Sequence, residues 1–113
     1  MRLSSTLMVL LLLATPALAS ARLVKSSPAN GARIRSPRAI VLRFNEALEP
    51  AFSGALLLDK EGHNLTGDPI RIDGTVMRLY PGKLPPGSYV VAWHGMGHEG
   101  RTRSGRIHFT VRP

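Results

Sequence analysis

The stretch "WHGMGHEGRTRSG", Trp93 to Gly105, holds two of the four histidines and one of the four methionines of this chain. In an extended backbone successive side chains point to opposite faces, so His94, Met96 and His98 would share one face. Two imidazoles and a thioether are soft to borderline donors of the kind that suits copper, Cu(I) in particular. The other reading is a polar turn between strands, with Gly95 and Gly97 breaking the alternation and the histidines solvated. The run Gly95-Met96-Gly97-His98-Glu99-Gly100 also matches G-x-G-x-x-G. That pattern holds a pyrophosphate only where a helix comes next and presents its N-terminal amides. Here the next residues are "RTRSGRIHFTV", a loop and then a strand, so the match is coincidental.

Other chemistry is poorly represented. There is no cysteine, which removes thiolate metal sites, cysteine nucleophiles and disulfides together. No serine stands in a G-x-S-x-G elbow, and no nucleophile–base constellation is visible, so the chain does not read as an enzyme. His63 falls in a turn and His108 on the outward face of the last strand, both surface positions. Met77 reads as a core or edge hydrophobe. Asn64-Leu65-Thr66 matches the N-glycosylation pattern, which matters only on a eukaryotic secretory route.

Any site must therefore be built on short strands. Helical periodicity is absent after the first residues, and alternating runs separated by Gly, Pro, Asn and Asp clusters take its place. "AIVLRF" sets Ile40, Leu42 and Phe44 on one face, "GSYVVAW" does the same for Tyr89, Val91 and Trp93, and "GRIHFTV" for Ile107, Phe109 and Val111. "ARLVKSS", "GALLLD" and "TVMRLYP" supply further candidates, and "NEALEPAFSG" has room for one helical turn before Pro50 limits it. Gly62 in "DKEGHN" marks a turn where a positive φ is cheap. Six or seven strands with frequent turns predict an all-β sandwich, and the nine prolines fit its loops and edges.

The first residues, "MRLSSTLMVLLLLATPALAS", have a basic start, a short apolar run and the small-x-small pattern Ala17-Leu18-Ala19. They predict a signal peptide over 1–19, cleaved to leave Ser20 as N-terminus and 20–113 as one exported domain. The apolar run is shorter than the ~20 residues a membrane span needs, and no later segment approaches that length. The chain carries a net charge of +8, and the leader accounts for only Arg2 of it. Few aromatics and no recognition-helix pattern argue against nucleic acid. One functional class is thus a non-metal interaction module that binds an acidic partner through Arg101, Arg103, Arg106 and Arg112.

Four segments in order, "LVKSSPANGA", "IVLRFNEAL", "LPPGSYVVAW" and the closing "GRIHFTV", resemble the CopC family of periplasmic copper-resistance proteins. The resemblance covers nearly the whole domain. It implies an immunoglobulin-like, Greek-key β-sandwich of about seven strands. It also implies a copper carrier in the periplasm, Cu(II) or Cu(I), without catalysis, working beside a membrane copper transporter; the basic surface adds an acidic periplasmic protein as the other candidate partner. The family pattern for Cu(II) has an N-terminal histidine, an acidic residue in F-x-E, and an Asp-x-His pair after the tryptophan. In this chain the matching positions are Ser20, Glu46 of Phe44-Asn45-Glu46, and Glu99-Gly100-Arg101. Both imidazoles are missing there, and Arg101 brings a permanent cation. A weakened or lost Cu(II) site is therefore expected, with Glu46, Glu99 and Arg101 forming an ion pair in its place. The metal set that remains is Ser20 through its α-amine, Glu46, His98 and Glu99, with His94 and Met96 as Cu(I)-type ligands. The methionine-rich Cu(I) loop of some relatives has no counterpart between Phe52 and Gly74.

Overall fold

The computed structural model describes residues 20–113; the expected leader lies outside them. The strands are β1 (Leu23–Ser27), β2 (Ala32–Ile34), β3 (Ile40–Phe44), β4 (Gly54–Asp59), β5 (Arg71–Asp73), β6 (Val76–Leu79), β7 (Gly87–Met96) and β8 (Thr102–Val111). They form two four-stranded sheets, ordered β1-β3-β6-β5 and β2-β8-β7-β4. The all-β sandwich is as expected, with eight strands rather than six or seven. The two unforeseen strands, β2 and β5, are three residues each, too short for alternation to announce them. The turn allowed before Pro50 is a single 3-10 turn over Pro50–Phe52.

The period-2 pattern decides what faces what. Ile40 and Leu42 of β3, Met77 and Leu79 of β6, Leu57 of β4 and Val91 of β7 are fully buried between the sheets. No polar or charged residue is buried with them among the described residues, so the core holds by apolar contact alone. Phe44 meets Trp93 edge to face across the core, ring centroids 5.2 Å apart, and Tyr89 stacks on its neighbour Phe109 at 5.6 Å. The Tyr89 hydroxyl donates to the Pro85 carbonyl oxygen at 2.5 Å, anchoring the loop that enters β7. Burial first, and the Asp59 charge second, push that phenol above its usual range.

One end of the sandwich is the more elaborate. β7 and β8 pair along their whole length, from Gly87 opposite Val111 to Met96 opposite Thr102. On its other side β8 has the short parallel strand β2 only at Phe109–Val111. The Thr102–Ile107 half of β8 therefore has no strand beyond it among the described residues.

Candidate metal centre

Glu46 comes after β3 in a loop that three backbone hydrogen bonds and one from backbone to side chain hold in place. Asn45 N–H donates to the Arg22 carbonyl at 3.0 Å, and Arg22 N–H donates to Asn45 Oδ1 at 2.7 Å. Leu48 N–H reaches the Gly74 carbonyl and Glu49 N–H the Met96 carbonyl. The segment before β1, the loop after β3 and the end of β7 are thereby stitched together. Ala21 is fully buried, and its Cβ stands close to Gly95 together with Phe44 and Leu48.

The Glu46 side chain lies over Gly97, filling the space a Cβ there would take. Ala21 N is 3.4 Å from the same point. Glu46 Oε1 is shielded from solvent and has no hydrogen-bond partner. A carboxylate oxygen in that position lacks a donor or a cation, and the adjacent chain is the Ser20-Ala21 segment.

The other expected ligands are placed less closely. Gly97 N–H bonds the Arg101 carbonyl at 3.3 Å and Gly100 N–H the Gly97 carbonyl at 3.1 Å, so residues 97–101 form the tight turn from β7 to β8. His98, Glu99 and Arg101 lie exposed on it. His98 Nδ1 is 3.6 Å from Glu49 Oε1, a carboxylate that sequence reasoning did not connect with it. The expected ion pair of Arg101 with Glu46 and Glu99 is not formed: among the described residues the pairs within reach are His98–Glu49 and His63–Asp59. The physical reason is the turn, which carries Glu99 and Arg101 out into solvent while Glu46 is drawn inward over Gly97.

His94 and Met96 do share the outward face of β7, because the strand runs on through Gly95 to Met96. The alternation ends at Gly97, so His98 belongs to the turn. The His94 ring lies across Gly54, its strand partner on β4, with Cε1 3.2 Å from where a Cβ would stand. The basic residues of the interaction-module reading are spread out: Arg103 and Arg106 take opposite faces of β8, and Arg101 and Arg112 lie beyond its two ends.

A cluster that the sequence reading missed closes the turn after β4. The ligand atoms of Asp59, Glu61 and His63 lie within 4.8 Å of one another. Glu46, His98 and Glu99 do not converge so closely. Asp59 Oδ1 accepts from Glu61 N–H and His63 N–H at 2.9 Å, and Oδ2 is 3.0 Å from His63 Nδ1. Desolvation works to raise the Asp59 carboxyl, but the His63 and Glu61 hydrogen bonds and the His63 charge outweigh it and hold it below the usual value. The signal in the sequence is the D-x-E-x-H spacing inside "DKEGH", hidden there by the turn character of the same residues. Its carboxylate is already committed to shaping that turn.

Comparison with known proteins gives a consistent picture. The CopC domain family model matches residues 23–112. The protein YobA of Escherichia coli K12 is 32% identical over 106 residues, covering 88% of this chain and 86% of that one. Copper resistance protein C of Xanthomonas campestris pv. juglandis is 30% identical over 105 residues, 85% of this chain and 83% of the relative. Among solved structures, CopC from Methylosinus trichosporium OB3b superposes with a TM-score of 0.76 at 30% identity, covering 82% of this chain and 94% of that one. PcoC, a methionine-rich copper resistance protein from Escherichia coli, gives 0.72 at 29% identity, covering 83% and 100%. With nearly all of the described sandwich matched in sequence and in fold, this chain belongs to the CopC family.

Proposed function

We propose that this chain is a periplasmic copper-handling protein that holds its cargo where the Ser20 end, the loop after β3 and the Gly97–Arg101 turn meet. One observation carries the reading: the shielded, unpartnered Glu46 Oε1 set beside Ala21 N over Gly97. Once a leader is removed at Ser20, the new α-amine lies next to that carboxylate. An amine nitrogen and a carboxylate oxygen are a fitting start to a Cu(II) donor set. His98, held by Glu49, is the imidazole within the same turn, and Glu99 adds a second carboxylate. A single imidazole and an exposed turn give a weaker Cu(II) site than two imidazoles would. His94 and Met96 offer a Cu(I) alternative on the outer face of β7. Exchange with a membrane copper transporter fits a carrier without catalytic groups.

Titrating protein that begins at Ser20 with Cu(II) and with Cu(I) tests this reading. The expected result is one equivalent of Cu(II) bound at about micromolar affinity, weakened tenfold or more by Glu46→Gln and by His98→Ala and unaffected by His63→Ala. Loss of binding in His63→Ala alone would move the site to the Asp59 turn. No saturable binding of either ion below about 100 µM would overturn copper carriage.

A further inference from the structure

The outer face of the β1-β3-β6-β5 sheet is far more basic than its place in a small sandwich requires. Because Ile40, Leu42, Phe44, Met77 and Leu79 point into the core, Val41, Arg43 and Arg78 point away from it. Register then places Lys25 of β1 directly opposite Arg43, and Arg71 of β5 directly opposite Arg78. Like charges facing one another across a strand pair destabilise the sheet. Among the described residues none of the four is in an ion pair, and the one carboxylate on these strands' outer face is Asp73. Val24 stands beside Lys25 with 67% of its surface exposed. Between Lys25, Ser26, Ser27, Val41 and Arg43 lies a shallow cleft of about 370 Å³, where the two cations Lys25 and Arg43 border space a phosphate group would fill; the Ser26 hydroxyl is already committed to the Pro28 carbonyl.

We propose that this face docks the protein on an anionic phospholipid surface, with lipid phosphates seated in the Lys25–Arg43 cleft and along the Arg71–Arg78 pair. Four strands span roughly 14 Å at ~4.8 Å spacing. These cations share one face of the sheet and so can meet a layer of headgroups together. Among the described residues the one aromatic beside these cations is Tyr80, in an open cavity with Asp68, Pro69 and Arg71, and no deep apolar pocket offers the anchor that a folded protein partner would use. Electrostatic attraction to anionic lipid gives each cation near the surface about a fivefold gain in partitioning, lost with added salt. Val24 contributes an apolar side chain to the same contact. None of Lys25, Arg43, Arg71 and Arg78 is among the proposed copper ligands, although β1 and β3 adjoin the Ser20 end and the Glu46 loop.

Co-sedimentation with vesicles decides it. The protein should pellet with vesicles of phosphatidylcholine and phosphatidylglycerol at low salt. It should stay in solution with phosphatidylcholine alone, and be released by raised salt. Lys25→Glu with Arg43→Glu should lower partitioning by more than twentyfold. The same charge change on the other sheet, Arg33→Glu with Arg106→Glu, should lower it only a few-fold. Equal losses from both pairs would show that only net charge matters and would overturn the docking face. So would absence of pelleting, or binding to polyglutamate that survives when anionic vesicles are ignored. Inorganic phosphate at millimolar concentration should compete poorly; full displacement by it would mean a free-anion site instead. Circular dichroism of both double variants checks that the sandwich is retained.

Discussion

The Glu46 carboxylate occupies the space that a side chain on Gly97 would need. Glycine at 97 thus does two things: it starts the turn into β8, and it lets a carboxylate settle beside the Ser20-Ala21 segment. The two residues are far apart only in sequence; in space one is the other's missing side chain. Gly97→Ala should leave folding nearly intact, since the atom it displaces ends a flexible side chain, yet it should expel Glu46 from its seat. The expected outcome is a thermal midpoint within a few degrees of the parent and copper affinity reduced about tenfold. Calorimetric titration and a melting curve on the same sample check both halves.

A second glycine meets a less yielding neighbour. The Trp93 indole lies across Gly105, with Cζ2 2.7 Å from where a Cβ would stand. Trp93 is buried against Phe44, so it has no free direction in which to move. Gly105→Ala should destabilise the protein by about 1–3 kcal/mol, as overpacking does, read as a lower denaturant midpoint and altered tryptophan emission. An unchanged midpoint would show that the indole can shift without cost.

Tyr89 tests the tie between the Pro85 loop and the sandwich. Tyr89→Phe keeps the ring stacked on Phe109 and deletes the hydroxyl that donates to Pro85. The loss should be about 1 kcal/mol near neutral pH. The folded phenol is harder to ionise than the unfolded one, so its contribution is complete below about pH 10 and fades above it. Denaturant titrations should show the gap between parent and variant closing at strongly alkaline pH.

Asp59 has the opposite dependence. Its carboxyl is held below the usual range in the folded chain, so its stabilising share is present above about pH 4 and is lost as pH falls through the lower folded value. Asp59→Asn should melt below the parent at neutral pH and converge with it in acid. Hydrogen exchange at Glu61 and His63, whose N–H groups donate to that carboxylate, should quicken in the variant.

Much of the architecture is legible in the sequence because it rests on period-2 alternation. The buried faces of β3, β7 and β8 come directly from Ile40-Leu42-Phe44, Tyr89-Val91-Trp93 and Ile107-Phe109-Val111. Strands of three residues carry too little pattern, and β2 and β5 are set by their neighbours, not by their own sequence. At the candidate centre, the F-x-E position points to Glu46, but nothing local reveals Gly97 as its seat or Glu49 as the partner of His98. Both depend on contacts between segments far apart in sequence. Arg101, expected to close on Glu46, does not, because a tight turn decides its direction more strongly than charge attraction does. The Asp59 cluster is readable from spacing alone, yet the same residues spell a turn, and the turn is the stronger local signal.

The half of β8 left without a neighbouring strand has a consequence for how this protein behaves in a crowd. An open row of backbone donors and acceptors is a template on which a second copy can add a strand. Thr102–Ile107 bears exposed Arg103 and Arg106, with Arg101 just before it, and a glycine at 105. Two such edges brought together would set guanidinium against guanidinium. Whatever partner they meet, these arginines set charge repulsion against the pairing of two such edges, the way an exposed strand is kept from recruiting its own copy.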